Sequence, residues 1–441
     1  MRKNVLMILS LVLVFTLAAC GSSKNGETAS KEAVQGSGKK VEVTMWRTIG
    51  SPEEDKYFNE LVDSFNKSQE KLVIKQTTFP GDTYHDQVHA AGLSKGLPDL
   101  LYLDGTEMSY MAYQGFLAPL DTYLPDDLKK DLLPSLIKQG TYSDGKLYLL
   151  GQFDSGLSFW ANKKMLEQAK VRIPKGIDDA WSKTEFDDAL AKLKAIPEIK
   201  FPLDLKINYG AGYWIYSYLP WVAGFGGNYM NADTKLSEGT LNGPQTVEAF
   251  QYLRTLIDKG YVNPTQTNDD DFFGKKVSAL SLVGHWMEPT HKKELGDDAI
   301  LVPFPNFGKG VFTGIGSLGW TITASAKEKG VDQQAWEVLS HFMSPENIKN
   351  VSAANGAVPA RISVLNEIPD YQEGGRLYLY REQLEKGNGI VRPVTPAFSV
   401  FQKEIGQAAM DIVNGADVKG MLDKAAKAID QSINDAGYNN K

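Results

Sequence analysis

At 441 residues with a formal net charge of −7, 42% apolar and 23% charged, the chain is long enough for two domains and has the composition of a globular protein. The mild acidity and the lack of any basic cluster argue against nucleic acid or anionic lipid as a binding partner. Cys20 is the single cysteine, which excludes a disulfide within the chain and leaves packing to supply the stability.

Arg2 and Lys3 form a short positive region, followed by an apolar run from Val5 to Ala19 broken only by Ser10 and Thr16. That run falls short of the roughly 20 residues a spanning helix needs, so residues 1–19 read as a signal peptide. It ends in Leu17-Ala18-Ala19-Cys20-Gly21, which resembles the bacterial lipobox, where the cysteine is lipidated and becomes the mature N-terminus. An acylated Cys20 carrying a diacylglycerol brings more than one chain to the bilayer, which is enough for stable anchoring. Residues 20–40 are Gly, Ser, Lys, Glu and Ala with almost nothing apolar, and read as a flexible lipidated tether. Loss of Arg2 and Lys3 with the signal leaves 45 basic against 54 acidic residues, a formal charge of −9.

Val41–Trp46 alternates like a strand and ends in an aromatic. Ser51-Pro52-Glu53-Glu54 is a helix start, and Phe58, Leu61, Val62 and Phe65 follow at helical spacing. Residues 72–77 form the next strand, Tyr84–Ser94 a helix closed by Gly96-Leu97-Pro98, and Asp99–Leu103 a buried strand that delivers Asp104. This β-α-β-α-β order argues for an α/β fold with a parallel sheet, in which ligands sit beyond the carboxyl ends of the strands. Further on, Gly115–Asp121 is a turn into a short element, Asp144-Gly145 a hairpin turn before a strand to Gly151, and Ser158–Lys163 an extended segment entering a helix. Helices are marked by Phe186, Leu190 and Leu193, by Phe250, Leu253 and Ile257, by Trp336, Leu339 and Met343, and by Val418, Met421, Leu422, Ala425 and Ile429. Ala279–Val283 and Trp320–Thr323 read as strands between them.

Several of these segments, in this order, carry a family resemblance. Leu93-Ser-Lys-Gly-Leu-Pro98-Asp99 with its strand to Asp104, Gly115-Phe-Leu-Ala-Pro-Leu-Asp121, and Gly145-Lys-Leu-Tyr148 followed by Trp160-Ala-Asn162-Lys163 are three of them. Val247–Pro264, Gly274-Lys275 with Gly284-His-Trp286, Gly314–Trp320, Ala335-Trp336-Glu337 and Gly356-Ala-Val-Pro359-Ala360 complete the set. The chain from Val41 onward resembles the family 1 extracellular solute-binding proteins, the group that includes maltodextrin-binding proteins. Two stretches depart from the pattern: a short Pro-x-Thr-Trp is stretched to Pro174–Trp181, and Asn208–Asn231 is unusually rich in aromatics and glycine. The resemblance implies a two-lobed periplasmic-binding-protein-like fold, with crossing hinge segments and a ligand cleft between the lobes. Residues 41–152 and 313–361 would form the N-terminal lobe, and 153–312 and 362–441 the C-terminal lobe. It implies a monomeric, non-enzymatic lipoprotein of an ABC importer, anchored in the cell membrane through Cys20 and facing the extracellular side or the periplasm. Such a protein captures a carbohydrate, expected to be an oligosaccharide, by hinge closure and delivers it to the permease subunits.

A pyranose offers hydroxyls at its edges and C–H groups on its faces, so its site needs carboxylates or amides beside aromatic platforms. Eight Trp and 19 Tyr give the material for such platforms, although most large aromatics build core. Trp46 and Asp104 stand at strand ends in the first lobe and are weighed against a packing indole and a turn-capping carboxylate. Asp82 follows Pro80-Gly81 in what the resemblance makes a cleft-facing loop, where an N-cap role competes. Asp154 lies at the crossover. In the second lobe Tyr213, Trp214 and Trp221 cluster near glycines that permit close backbone approach. Trp286 is the foremost single aromatic, with Glu288 behind it. Gly316 and Ser317 resemble a family loop whose backbone reaches the ligand, and Arg361 closes the rim or forms a structural salt bridge.

Other chemistry is poorly supported. His85 and His89 stand four apart but lack a nearby third ligand in sequence, so a solvated helix face is expected rather than zinc. Asp269-Asp-Asp271 lacks the ligand spacing of a calcium loop and reads as a helix N-terminus. No cofactor and no metal are expected, and no nucleophile, phosphate or dinucleotide motif is present. A secreted glycosidase, which would need two carboxylates at defined separation, and a sensory or adhesive carbohydrate-binding lipoprotein without a transporter remain as alternatives.

Overall fold

Alternation decides the first strand: in β1 (Val41–Thr48) Val43, Met45 and Arg47 point inward while their neighbours do not. The helix after it, Pro52–Ser68, starts as its sequence demands, with Ser51 accepting the Glu54 N–H at 3.2 Å and Pro52 in the first turn. Its buried stripe of Phe58, Leu61, Val62 and Phe65 packs on the sheet. The computed structural model describes residues 40–438. The signal peptide, Cys20 and nearly all of the expected tether lie outside the described residues, as does the side chain of Asp82. Lys40, at the tether's expected end, is already fixed, donating to the main-chain oxygens of Asn66 (3.0 Å) and Gln69 (2.7 Å).

Two sheets organise the chain. β1 lies parallel between β2 (Leu72–Phe79) and β3 (Leu100–Asp104), as the β-α-β-α-β reading requires. The next strand comes from far along the sequence: β11 (Leu318–Thr323) runs antiparallel to β3, pairing Leu318 with Asp104, and β4 (Leu117–Ala118) completes the order β2-β1-β3-β11-β4. The second sheet has the order β7-β8-β6-β9, from Leu203–Asp204, Leu280–Gly284, Leu157–Asn162 and Ala299–Val302. Between the sheets the chain crosses in two short pairings. β5 (Phe153–Asp154) lies antiparallel to β12 (Val358–Pro359), and β10 (Thr313–Ile315) lies parallel to β13 (Gly389–Val391). This is the two-lobed α/β arrangement, and the first sheet draws on separated stretches of chain because β11 returns to it.

Each sheet carries its own apolar packing. Phe186, Leu190, Trp221, Phe250 and the helices Phe398–Val413 and Val418–Ala436 bury the second. The first cluster also draws in Trp160, Phe272, Val283, Met287 and Tyr380, so apolar contact is continuous behind the crossing strands. Among the described residues no helix is long and apolar enough to cross a membrane.

Two local expectations are corrected. The Asp144-Gly145 turn forms, with Gly145 at φ +79°, but the strand expected after it makes only isolated pairings, Thr141 with Leu147 and Leu150 with Trp320. Leu147–Leu150 are buried as a continuous run. The Asp269–Asp271 stretch and Gly274-Lys275 form turns, not a helix. Lys206 takes the Asp269 carboxylate, and Lys275 holds Asp270 at 2.8 Å and Asp271 at 3.1 Å, so the side chains fold the chain back on itself.

Candidate functional site

The ends of β1 and β3, the β10–β11 turn, the crossing residue Phe153 and the aromatic segment 209–216 converge on one cavity of about 840 Å³. That volume lies within the ~300–1,000 Å³ range of ligand clefts. From the first sheet, Ile49, Gly50, Ser51, Glu54, His85, Asp104 and Thr106 face it. From the other side come Tyr209, Tyr213, Tyr216, His285, Trp286, Arg392 and Gln402, with Gly316 and Ser317 at the turn between.

Asp104 ends β3 and caps the helix Gly105–Tyr113, accepting the Thr106 N–H at 2.9 Å and its hydroxyl at 2.7 Å. Arg392 Nη2 lies 2.8 and 2.9 Å from its two oxygens. Burial works to raise this carboxyl's pKa, but Arg392 and the Thr106 donors outweigh it and hold the group below its ordinary value. The Arg392 guanidinium also lies over the rings of Tyr216 (5.1 Å) and Phe398 (5.6 Å). Gly316 is what allows this: a β-carbon there would stand 2.8 Å from Arg392 Nη2. The ion pair thus joins the end of a first-sheet strand to the packing of the second sheet.

Opposite lies the aromatic wall. Trp286 is half-buried and folds back over Gly284, where a β-carbon would collide with the indole. Tyr213 meets it edge-on at 6.3 Å and Tyr209 meets Tyr213 edge-on at 5.0 Å. The Tyr213 hydroxyl donates to the Leu282 carbonyl at 2.9 Å, so the ring is held by β8. His285 is buried beside them, its Nδ1 2.8 Å from the Asn355 carbonyl, and burial lowers its pKa to about 4. Glu54 takes a long contact, 3.5 Å, from Asn355 Nδ2 and a further one from the Ser51 main chain, but burial outweighs these and raises its carboxyl above the ordinary range. The cavity therefore joins aromatic faces with carboxylate acceptors and amide, hydroxyl and guanidinium donors, the set a polyhydroxylated ligand needs.

The structure brings Asp104, Tyr213, Trp286, Gly316 and Ser317 together at this cavity. It puts the other candidates elsewhere. Trp46 packs on Phe79 (4.9 Å) and does not line the cavity; the lining residues come three positions later, at Ile49 to Ser51. Asp154 is wholly buried in the crossing strand, where Gln139 Nε2 donates to both its oxygens at 3.1 Å and the Ser155 N–H at 2.8 Å. Burial without a cation raises its pKa. Trp214 gives its indole N–H to the Met410 sulfur at 3.1 Å, and Trp221 is sealed between Tyr218 and Phe307, at 5.4 and 5.0 Å. Glu288 pairs with Arg376 at 3.0 Å and Arg361 with Asp131 at 2.7 Å, both away from the cavity lining. The Asp82 position falls in the first turn of the helix Gly81–Leu93, whose Gly81 lines the cavity.

His85 and His89 are half-buried on a face that is solvated in part. Glu107, from the helix after β3, lies 3.7 Å from His85 Nδ1 and 2.9 Å from His89 Nε2. Among the described residues no group of three or more His, Cys, Asp and Glu could hold a metal ion. Sequence reasoning missed Glu54, Tyr209, Tyr216, His285 and Arg392. A signal existed for the tyrosines: positions 209, 213 and 216 share one face at helical spacing. Arg392 lies in no motif.

The chain matches the family described as bacterial extracellular solute-binding protein over residues 60–376. A maltotriose-binding protein of Pyrococcus abyssi is 23% identical over 413 residues, which cover 91% of this chain and 83% of that protein. An ABC substrate-binding protein of Listeria monocytogenes, solved in complex with cycloalternan, superposes with a TM-score of 0.75 at 18% identity, covering 90% of this chain and 99% of that one. The GacH receptor of Streptomyces glaucescens, solved unliganded and with acarbose, does so with a TM-score of 0.74 at 21% identity over 90% and 98%.

Proposed function

The chain belongs to the bacterial extracellular solute-binding proteins, and from that premise we propose that it captures an oligosaccharide in the cavity between its lobes and delivers it to an ABC-type permease. The observation that carries this reading is the pairing, in one cavity, of the Tyr209–Tyr213–Trp286 wall with the Asp104–Arg392 ion pair. Ring faces suit the C–H faces of a pyranose. Charged acceptors and donors at its edge suit the hydroxyls, with hydrogen bonds to charged groups worth about 1.5–3 kcal/mol each. The ligands named for the relatives, maltotriose among them, support the same class.

In this proposal the ligand settles against one lobe and the other closes by bending at the paired crossing strands. The lobes are proposed to take the limits expected from the sequence, 41–152 with 313–361 and 153–312 with 362–441. Binding and release need no covalent step, in keeping with a family of binding proteins. Asp104, Tyr213, Trp286, Gly316 and Ser317 are proposed to meet the sugar, together with Glu54, Tyr209 and Arg392. Cys20 is proposed to anchor the monomeric protein to the outer face of the membrane, near its permease.

A thermal-shift screen over a carbohydrate panel, followed by calorimetry, tests the reading, since a ligand that binds only the folded state raises its melting temperature. Trp286→Ala should weaken the best ligand ten-fold or more, about 1.4 kcal/mol. Unchanged affinity would remove Trp286 from the site, and a panel without any shift would count against a sugar. Cleavage products after incubation with oligosaccharides would favour a glycosidase instead.

A further inference from the structure

Behind the aromatic wall lies a charged group that the binding reading does not use. The side chains of Lys206 and Asp204 are both 0% exposed. Lys206 Nζ stands 2.7 Å from Asp204 Oδ2 and 2.6 Å from Asp269 Oδ1, and donates to the Asp269 main-chain oxygen at 3.1 Å. Burial works to lower the lysine's pKa, but the two aspartates outweigh it and keep the ammonium charged. Lys206 also adopts φ +55°, ψ +47°, a left-handed conformation that residues with a β-carbon seldom take. Enclosed ion pairs of this kind are poor stabilisers, because desolvation costs several kcal/mol per ion and an apolar replacement is often neutral.

What the group holds is the cleft wall. The left-handed Lys206 turns the chain from β7 into the single turn Ile207–Tyr209, whose last ring enters the cavity. The second oxygen of Asp269 accepts the Tyr209 hydroxyl at 3.0 Å. The Trp286 side chain also interacts with that same hydroxyl. Tyr209 is edge-on to Tyr213, and Tyr213 edge-on to Trp286. One oxygen of Asp269 thus faces a buried cation and the other a ring in the ligand cavity.

We propose that Lys206 is a positioning residue of the binding wall, acting through Asp269 and Tyr209 to fix the plane of the Trp286 indole that a sugar stacks on. This rests on the reading of the cavity as a sugar site, and a binding site held within about half an ångström needs such support from behind.

Fluorine NMR on protein labelled with 5-fluorotryptophan tests it without a ligand, the Trp286 line being assigned through Trp286→Phe. In both Lys206→Met and Tyr209→Phe the Trp286 line should shift or broaden, while those of the core residues Trp214 and Trp221 stay in place. The Kd for maltotriose, measured by calorimetry, should rise ten-fold or more in both variants; Tyr209→Phe should melt close to wild type, whereas Lys206→Met, which leaves the buried Asp204 without its cation, should melt lower. A Trp286 line that does not move overturns the proposal, as does a moved line with maltotriose affinity retained in both variants. If Lys206→Met fails to fold, Asp269→Asn takes its place, since Asp269 lies outside the cavity lining and is the link between Lys206 and the Tyr209 hydroxyl. A moved line in a protein whose wild type does not bind maltotriose supports the positioning role and counts against maltotriose as the ligand.

Discussion

His285 makes the stability of this protein depend on pH in a way that can be worked out in advance. The ring is enclosed, with Nδ1 2.8 Å from the Asn355 carbonyl and the rings of Phe153 and Trp286 at 5.5 and 5.4 Å. It is therefore neutral in the folded protein, with a pKa lowered by burial from 6.5 to about 4. The unfolded chain takes up a proton as the pH falls through about 6.5 and the folded one does not until about 4, so the folded state loses ground across that window. At about 1.36 kcal/mol for each pH unit separating the two values, the loss between pH 7 and pH 4 amounts to about 3 kcal/mol. His285→Gln keeps a donor for Asn355 and removes the titration. Urea unfolding of both proteins from pH 7 to pH 4 measures the difference, and other titrating groups cancel. Wild type should lose about 3 kcal/mol relative to the variant, most of it below pH 6.5. Parallel curves would show that the folded ring takes up its proton at the same pH as the unfolded chain, and that the reasoning from burial is wrong.

Trp221→Ala should cost about 3–5 kcal/mol of stability in chemical denaturation while leaving ligand affinity within two-fold, because the indole is sealed between Tyr218 and Phe307. Arg392→Ala should separate the strand end at Asp104 from the packing around Tyr216 and Phe398. A larger radius of gyration for the ligand-free protein in X-ray scattering, and about ten-fold weaker binding in calorimetry, are the expected results. Cys20→Ala should move the protein from the membrane fraction to the medium in cell fractionation, and a variant still sedimenting with membranes would rule out lipidation as the anchor.

Much of the architecture could be read directly. The periodicity of Val41–Phe65 and the apolar Leu100–Leu103 run set a β-α-β-α-β order, and strand ends in such a sheet face the ligand, which is why Asp104 was identifiable. The Gly284-His285-Trp286 segment located the indole through the family resemblance, and in the structure the glycine makes room for the folded-back ring. Trp46, Trp214 and Trp221 show the limit of the same logic. An indole serves equally well in a core and on a cleft wall, and composition cannot tell the two apart.

By itself the sequence determined the order of elements, the α/β class and the family, because these follow from local periodicity, turn residues and short motifs in series. Only the tertiary structure decided which residues meet. It brought Arg392 to Asp104 across 288 positions of sequence, Glu107 to His85 and His89, and Lys206 to Asp269 behind Tyr209. Charge pairing in a folded protein depends on distance and burial, and neither is written in the spacing of residues along the chain.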